Sequence, residues 1–496
     1  MGVLPLSVMV SSDRMTLRRG TPCRGSCAGF FDAMSTPELD LSGMPRKGVG
    51  QSRPATENGS RAPAPDGHRS TDSRNGSSSA AATRRDEILW AANSVIARSG
   101  LRTSLEDIAD AAGILAGSLY FHFASKDDLL LELVARYHAE LQRIGEIAVH
   151  RLDERHPRPV LEQIVQLGCE IARTAVEHRA ALQLSFYEGP GSDPEIERPR
   201  QRPDAIQQAM QQVLRAGRWS GHLRADVDIA VLADRICQSM LYVGLDYIRH
   251  QSTSDEVAAL LCRILLHGVA TNPPTDSTLD ASAAMAAAKS FVASWPEAGA
   301  ATSDHKLAHI RAVARTEFAR RGYESTTVRD IAAASGLGQS TVYRLAQSKE
   351  NLLMSIMQSF GERVGNGWTG VLRSDSSPVE KLDALSWLNV CAVDQFPDEF
   401  RIQLAWLRQA PPNTATPGWS FGDRIRDMKA LLTEGMRTGE IFLKGPSPEV
   451  LARSVIGLHW VPENILRDLG TRESLMHLRD TVLRGVANRE PRPLPH

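Results

Sequence analysis

The sequence predicts an all-α protein. Apolar residues recur at helical spacing from Thr83 onward, no stretch alternates apolar and polar residues as a half-buried strand would, and the helical programme runs twice along the chain. Ile88, Leu89, Ala92, Val95 and Ile96 mark the first helix. Long amphipathic runs follow, among them "DLLLELVARYHAELQRIGEIAVHRL", "VLEQIVQLGCEIARTAVEH" and "DIAVLADRICQSMLYVGLDYIRH", broken at "HPRP", "GPGSDP" and "WSGH". After "TNPPTDSTLDAS", which reads as a linker, "HKLAHIRAVARTEFARRGY" restates "RRDEILWAANSVIARSGL". Tyr120 and Tyr343 are 223 positions apart, as are Lys126 and Lys349, and Gly113 and Gly336. Gly100 and Gly322 are 222 apart, so one residue was gained or lost in the turn after the first helix.

These boundaries divide the chain into a tail (1–80), a first head (81–142) with its helical bundle (143–270), a linker (271–302), and a second head (303–363) with its bundle (364–490). The tail is rich in Gly, Ser, Pro and Arg and too poor in apolar residues to repay ordering, so it is expected to be disordered, a solvated or mildly basic arm.

Composition excludes several classes. Lys and Arg (57) balance Asp and Glu (58), so any nucleic-acid surface must be local rather than a wholly basic coat. Six cysteines in 496 residues make no disulfide framework, which fits a reducing cytoplasm. No apolar run is long enough for a membrane span, and "MGVLPLSVMV" lacks the features of a signal peptide. Catalytic and nucleotide-binding motifs are missing, so an enzyme is not expected, nor is a cofactor. His305 and His309 have metal-ligand spacing but no carboxylate or thiol beside them, and read as a solvated helix start.

The chemistry sits in "TSLEDIADAAGILAGSLYFHFASKDDLL" and its counterpart "TTVRDIAAASGLGQSTVYRLAQSKENLL". Ser104 with Asp107, and Thr327 with Asp330, form capping-box pairs ahead of a short helix. Gly113 or Gly336 closes that helix, and a second short helix follows at once. Two short helices about a glycine turn make a helix-turn-helix, whose second helix fits the DNA major groove. There Leu119 and Phe123 face the core, while Ala116, Gly117 and Ser118 are small enough for close approach to bases and phosphates. Tyr120 and His122 carry polar tips on apolar bodies. Lys126 stands in the first turn of the next helix, where the macrodipole disfavours a cation unless an anion is nearby.

This pattern resembles the TetR family of bacterial transcriptional repressors, specifically in the first copy and more loosely in the second. The resemblance implies DNA binding by three helices of each copy, a ligand-responsive helical bundle behind them, and pairing through the last two helices of each unit. Carried over, Tyr120, His122 and Lys126 touch phosphates with Thr103 or Ser104, while Ala116, Gly117 and Ser118 face bases. In the second copy Tyr343, Lys349 and Thr326 or Thr327 take the phosphates, and Gln339, Ser340 and Thr341 the bases. Two departures stand out: Leu115 lacks the capping hydroxyl, and Leu345-Ala346 replaces His-Phe, with Arg344 able to compensate in part. Phe186, Tyr187, Met240 and Tyr242, and in the second bundle Trp387, Trp406, His459 and Trp460, are either core or the lining of an apolar pocket.

The expectation is therefore a cytoplasmic, sequence-specific regulator of transcription, a repressor with double-stranded operator DNA and a small apolar or amphipathic effector as partners. It pairs its two repeats within one chain or forms a homodimer. The alternative is a ligand-sensing or scaffolding protein whose second head, or both, is vestigial.

Overall fold

The computed structural model describes residues 74–100, 103–154, 158–185, 204–246, 252–298, 305–323, 326–409 and 421–488. The first repeat runs α1 (Arg74–Ser99), α2 (Leu105–Ala111), α3 (Ala116–His122), α4 (Lys126–His150), α5 (Val160–Glu177), α6 (Arg179–Ser185), α7 (Asp204–Trp219), α8 (Ile229–Asp246) and α9 (Ser254–His267). Two helices lie between the repeats, α10 (Asp276–Asp280) and α11 (Ala283–Ala298). The second repeat runs α12 (His305–Arg321), α13 (Val328–Ser335), α14 (Gln339–Ala346), α15 (Lys349–Arg373), α16 (Pro378–Gln395), α17 (Pro397–Gln409), α18 (Phe421–Thr438), α19 (Pro448–Leu458) and α20 (Glu463–Leu478), which continues into a π-helical turn over Arg479–Arg484. Among the described residues the only β-type pairings are two isolated bridges.

Apolar stripes explain the packing. α5 buries Ile164, Leu167, Ile171, Ala172 and Ala175 and lies against α4, α7, α8 and α9. Gly168 allows that closeness: a Cβ there would fall 2.6 Å from Cys262 Sγ. Each head hangs from its bundle by one long helix, α4 or α15, whose N-terminal turn belongs to the head.

Two boundaries differ from expectation. α1 begins at Arg74, inside the stretch read as tail, because a helix extends cheaply through the Ala80–Ala82 run once its turn is nucleated. The rest of the tail lies outside the described residues. The linker is largely structured. α11 packs on α15 and α16, buries Ala284, Met285, Ala288 and Trp295, and sets the Trp295 ring 5.2 Å from that of Phe396. Its alanines read as a low-complexity spacer, yet they form an apolar helical face. α10 is tied down by charge. Arg479, fully buried, donates both Nε (2.8 Å) and Nη2 (2.8 Å) to the buried Asp383 carboxylate, with further bonds to Asp280 (2.7 Å) and Asp276 (3.2 Å) on α10. Burial pushes the Asp383 carboxyl up despite that partner.

The two repeats meet along a ladder of backbone hydrogen bonds in matched pairs. Val269 N–H donates to Val482 O (2.8 Å) as Val486 N–H donates to Leu265 O (3.2 Å). Ala270 to Leu483 (3.0 Å) mirrors Ala487 to Leu266 (2.7 Å), and Phe442 to Val269 (2.9 Å) mirrors Arg224 to Val486 (2.9 Å). Thr271 to Glu440 (2.8 Å) mirrors Asn488 to His222 (2.8 Å). At the centre Gly268 (φ 71°, ψ 168°) and Gly485 (φ 78°, ψ 157°) cross backbone against backbone. The segments "HGVA" and "RGVA", 217 positions apart, supply both sides. The two isolated bridges, Leu223 with Ala487 and Ala270 with Ile441, obey the same pseudo-two-fold relation.

Candidate DNA-binding interface

In the first head Ser104 Oγ accepts from Asp107 N–H (3.1 Å) and Asp107 Oδ2 accepts from Ser104 N–H (2.8 Å), the expected reciprocal box. The Ser104 bonds hold the Asp107 carboxyl below the usual carboxylate range. Gly113, at φ 65°, makes the turn into α3, a left-handed conformation that favours glycine. α3 docks through Leu119 and Phe123, both buried, against Ile108 and Ile88 in the same core. The Arg85 guanidinium stacks 4.1 Å above the Phe123 ring and bonds Glu132 (2.8 Å) and the His122 carbonyl, fastening α1 to α3 and α4.

Outward from that core, Tyr120 is 56% exposed, Gly117 is exposed with open space where a Cβ would stand, and Ala116, Ser118 and His122 are half-buried. Leu115 caps nothing and is exposed. Lys126 is half-buried, and this desolvation lowers its ammonium pKa against the pull of Asp127 and Asp107. Sequence reasoning missed Phe121, which is 92% exposed beside Tyr120. Its angular position, two residues from Leu119 and two from Phe123, was the available signal.

The second head keeps the frame and loses parts of the surface. Thr327 and Asp330 repeat the capping box (3.1 and 2.8 Å), and Gly336 repeats the left-handed turn at φ 66°. Val342 and Ala346 take the places of Leu119 and Phe123. Gln339, Ser340, Tyr343 and Arg344 are exposed and Thr341 is half-buried. With alanine at the phenylalanine's place, the chain leaves α14 through Gln347 at φ 63°, ψ −53°, a conformation costing about 1–3 kcal/mol for a residue with a side chain. Lys349 is turned inward: Nζ donates to Tyr323 O (2.8 Å) and lies 4.2 Å over the Tyr323 ring.

Two expectations change. Thr103 and Thr326 are buried, their hydroxyls donating to Gly100 O (2.8 Å) and Gly322 O (2.9 Å), because each tucks under the turn that precedes its head's second helix. Of each pair, Ser104 and Thr327 are the members at the surface. Lys349 anchors α15 to the end of α12. The described candidate effector residues, read as core or as pocket lining in each bundle, are buried or half-buried. Phe186 and Tyr187 lie outside the described residues. Met240 is core, and Tyr242 is half-buried. Trp406 packs on Tyr323 (6.3 Å between rings) at the base of the second head, and Trp460 on Phe400 (4.7 Å). His459 is fully buried, with Val455 O 2.6 Å from Nδ1 and Leu382 O 3.3 Å from Nε2. Trp387 and Trp406 keep buried indole N–H groups without a hydrogen-bond partner. A cleft of about 260 Å³ lined by Arg224, Pro273, Arg484, Gly485, Ala487 and Asn488 includes none of the six that are described. His309 Nε2 sits 3.2 Å from Ser335 O, and among the described residues no cluster could hold a metal ion. Nor is any described helix long and apolar enough to cross a membrane.

The geometry is that of a helix-turn-helix DNA-binding protein carrying two heads. Comparison with known sequences gives the family. The model for "Bacterial regulatory proteins, tetR family" matches residues 88–133 and again 310–356. The HTH-type transcriptional repressor KstR2 of Rhodococcus jostii (strain RHA1) is 32% identical over 201 residues, covering 38% of this chain and 91% of that protein. KstR2 of Mycobacterium tuberculosis (strain H37Rv) is 30% identical over 198 residues, covering 38% and 93%. The chain belongs to the TetR family, as a transcriptional regulator with two tandem repeats. The solved structure of the M. tuberculosis ketosteroid transcriptional regulator KstR2 aligns with 35% of this chain and 89% of its own, at 27% identity and a TM-score of 0.30.

Proposed function

We propose that the protein is a cytoplasmic single-chain repressor that grips one operator with both heads and releases it when a small apolar or amphipathic effector enters a regulatory bundle. The matched ladder between the repeats carries this reading. A self-complementary surface about a two-fold axis is how a symmetric dimer is built, and here both sides come from one chain. Heads related in this way read half-sites about one DNA turn, roughly 34 Å, apart. The base-facing residues differ, Ala116-Gly117-Ser118 against Gln339-Ser340-Thr341, so the operator is an imperfect palindrome. Phosphate contact falls mainly to the first head, since the second head has no counterpart of His122. The second head still presents Gln339 and Arg344, which favours a working reader over a vestige. An effector releases DNA only by binding one spacing of the heads better than the other.

The test is selection of bound duplexes from a random DNA library, followed by sedimentation of the complex. One chain per duplex on a site with unlike halves is expected. Two chains on a strict palindrome would mean that like repeats pair between chains.

A further inference from the structure

We infer that Arg235 makes the first repeat pair with the second rather than with a copy of itself. The inference rests on the single-chain pairing proposed above and explains how that pairing is chosen. The ladder cannot choose, because its central residues are the same on both sides: Gly268 and Gly485, Val269 and Val486, Ala270 and Ala487. Like or unlike repeats would form the same backbone bonds there.

Arg235 breaks this equivalence. It stands on α8, is 1% exposed, and donates Nη1 to Trp460 O and Nη2 to Leu458 O in the second repeat. Those carbonyls are open because α19 stops at Leu458. The helical donor for Leu458 O would be the N–H of residue 462, and Pro462 has none. Aligning "VLA" of α8 with "VLA" of α19 places Ser454 opposite Arg235, and Ser239 and Leu241 opposite Leu458 and Trp460. Ser239 and Leu241 lie inside unbroken α8, where carbonyls serve the helix's own N–H groups. A first-with-first pair would bury two guanidinium groups and offer neither an acceptor. A second-with-second pair would set the single hydroxyl of Ser454 against the Leu458 and Trp460 carbonyls and leave at least one of them without a donor. Only the unlike pair gives the buried guanidinium acceptors, for Nη1 and Nη2, and gives both carbonyls a donor. A second unlike contact lies beside it: Asn464 donates to Asp234 (2.7 Å) and accepts from Gln238 (3.2 Å), where the matching positions are Arg453 and Gly457.

The test uses the full chain. Isotope-labelled and unlabelled protein are mixed, cross-linked through carboxylates and read by mass spectrometry, with sedimentation velocity over a range of concentrations. Wild type is expected to remain a single chain with links between its own repeats. Arg235→Ser removes the bar against first-with-first pairing and should form chain dimers, with α9 linked to α9 of another chain, at concentrations where the wild type stays single. Arg235→Lys keeps the buried cation and should remain a single chain, which also covers the case in which the serine variant does not fold. Val486→Ala trims the ladder without touching Arg235 and should not bring on like-with-like links. An Arg235→Ser protein that stays single at every concentration, or an Arg235→Lys protein that dimerises like with like, overturns the role of Arg235 while leaving single-chain pairing intact. A wild type already dimeric through like repeats overturns both.

Discussion

Replacing Gly485 by alanine tests the crossing at the pseudo-two-fold axis. The cost has two parts. At φ 78° and ψ 157° the backbone is in a region essentially reserved for glycine, which costs about 1–3 kcal/mol for any other residue. The new Cβ would also lie 2.3 Å from His267 C, 2.4 Å from Gly268 N and 2.6 Å from His267 Cα. These are backbone atoms and cannot swing aside, so the segments must separate. Separation stretches the central bonds from Val269, Ala270, Val486 and Ala487, each worth about 1 kcal/mol net. The sum is roughly 5–7 kcal/mol, much of the stability of an ordinary domain. Gly439→Ala is the control: it has the same φ of 78° but open space around its Cβ, so it bears only the backbone cost of about 1–2 kcal/mol. Denaturant unfolding of the three full-length proteins, followed by circular dichroism, gives the comparison. Gly485→Ala should lose several kcal/mol more than Gly439→Ala and should open the repeats in a separate early transition. Equal losses would show that the crossing bears no weight in the folded protein.

Lys126→Ala should reduce the slope of log affinity against log salt by about one, and an unchanged slope would show that Lys126 touches no phosphate; Lys349→Ala should loosen the second head, because its amine holds Tyr323 O. Arg479→Met strands the buried Asp383 carboxylate and should cost about 3–5 kcal/mol in denaturant unfolding, most of it recovered when Asp383→Leu is added; a loss below about 1 kcal/mol would mean the pair is not desolvated. Burial holds the His459 imidazole down to about 4, opposed by the Val455 and Leu382 carbonyls, so the folded state keeps it neutral where the unfolded chain takes up a proton. Stability should therefore fall as pH drops from about 6.5 toward 4, by roughly 3 kcal/mol from this group, and His459→Gln should flatten that part of the pH profile by a similar amount.

Much of the first head was legible because its signals are local. A hydroxyl three residues before an aspartate, a glycine at the turn and Leu119 with Phe123 four apart define two helices and their core face without reference to anything distant. The choice between Thr103 and Ser104 was left open for a related reason: the hydroxyls are adjacent, and only the turn geometry decides which of them is buried. Lys349 reaches Tyr323, 26 residues earlier, and no local pattern announces that contact. α11 was hidden by composition, since alanines without polar punctuation resemble a spacer until α15 and α16 are in place to receive them. The crossing at Gly268 and Gly485 left a sequence trace in "HGVA" and "RGVA", too short to stand out without the pairing that explains it.

The ladder between the repeats also bears on how such a regulator responds to its own abundance. Two separate subunits must find each other before they can bind, so at low copy number occupancy of the operator varies with the square of the amount made. When "HGVA" and "RGVA" are synthesised on one polypeptide, joined through the braced α10 and α11, pairing is a folding step and does not depend on how many molecules the cell contains. If one chain grips the operator as proposed, occupancy at low copy number would vary in direct proportion to expression. The two halves are also inherited as one gene. A substitution in either reader is tried against an unaltered neighbour, which frees each half to follow a different DNA sequence.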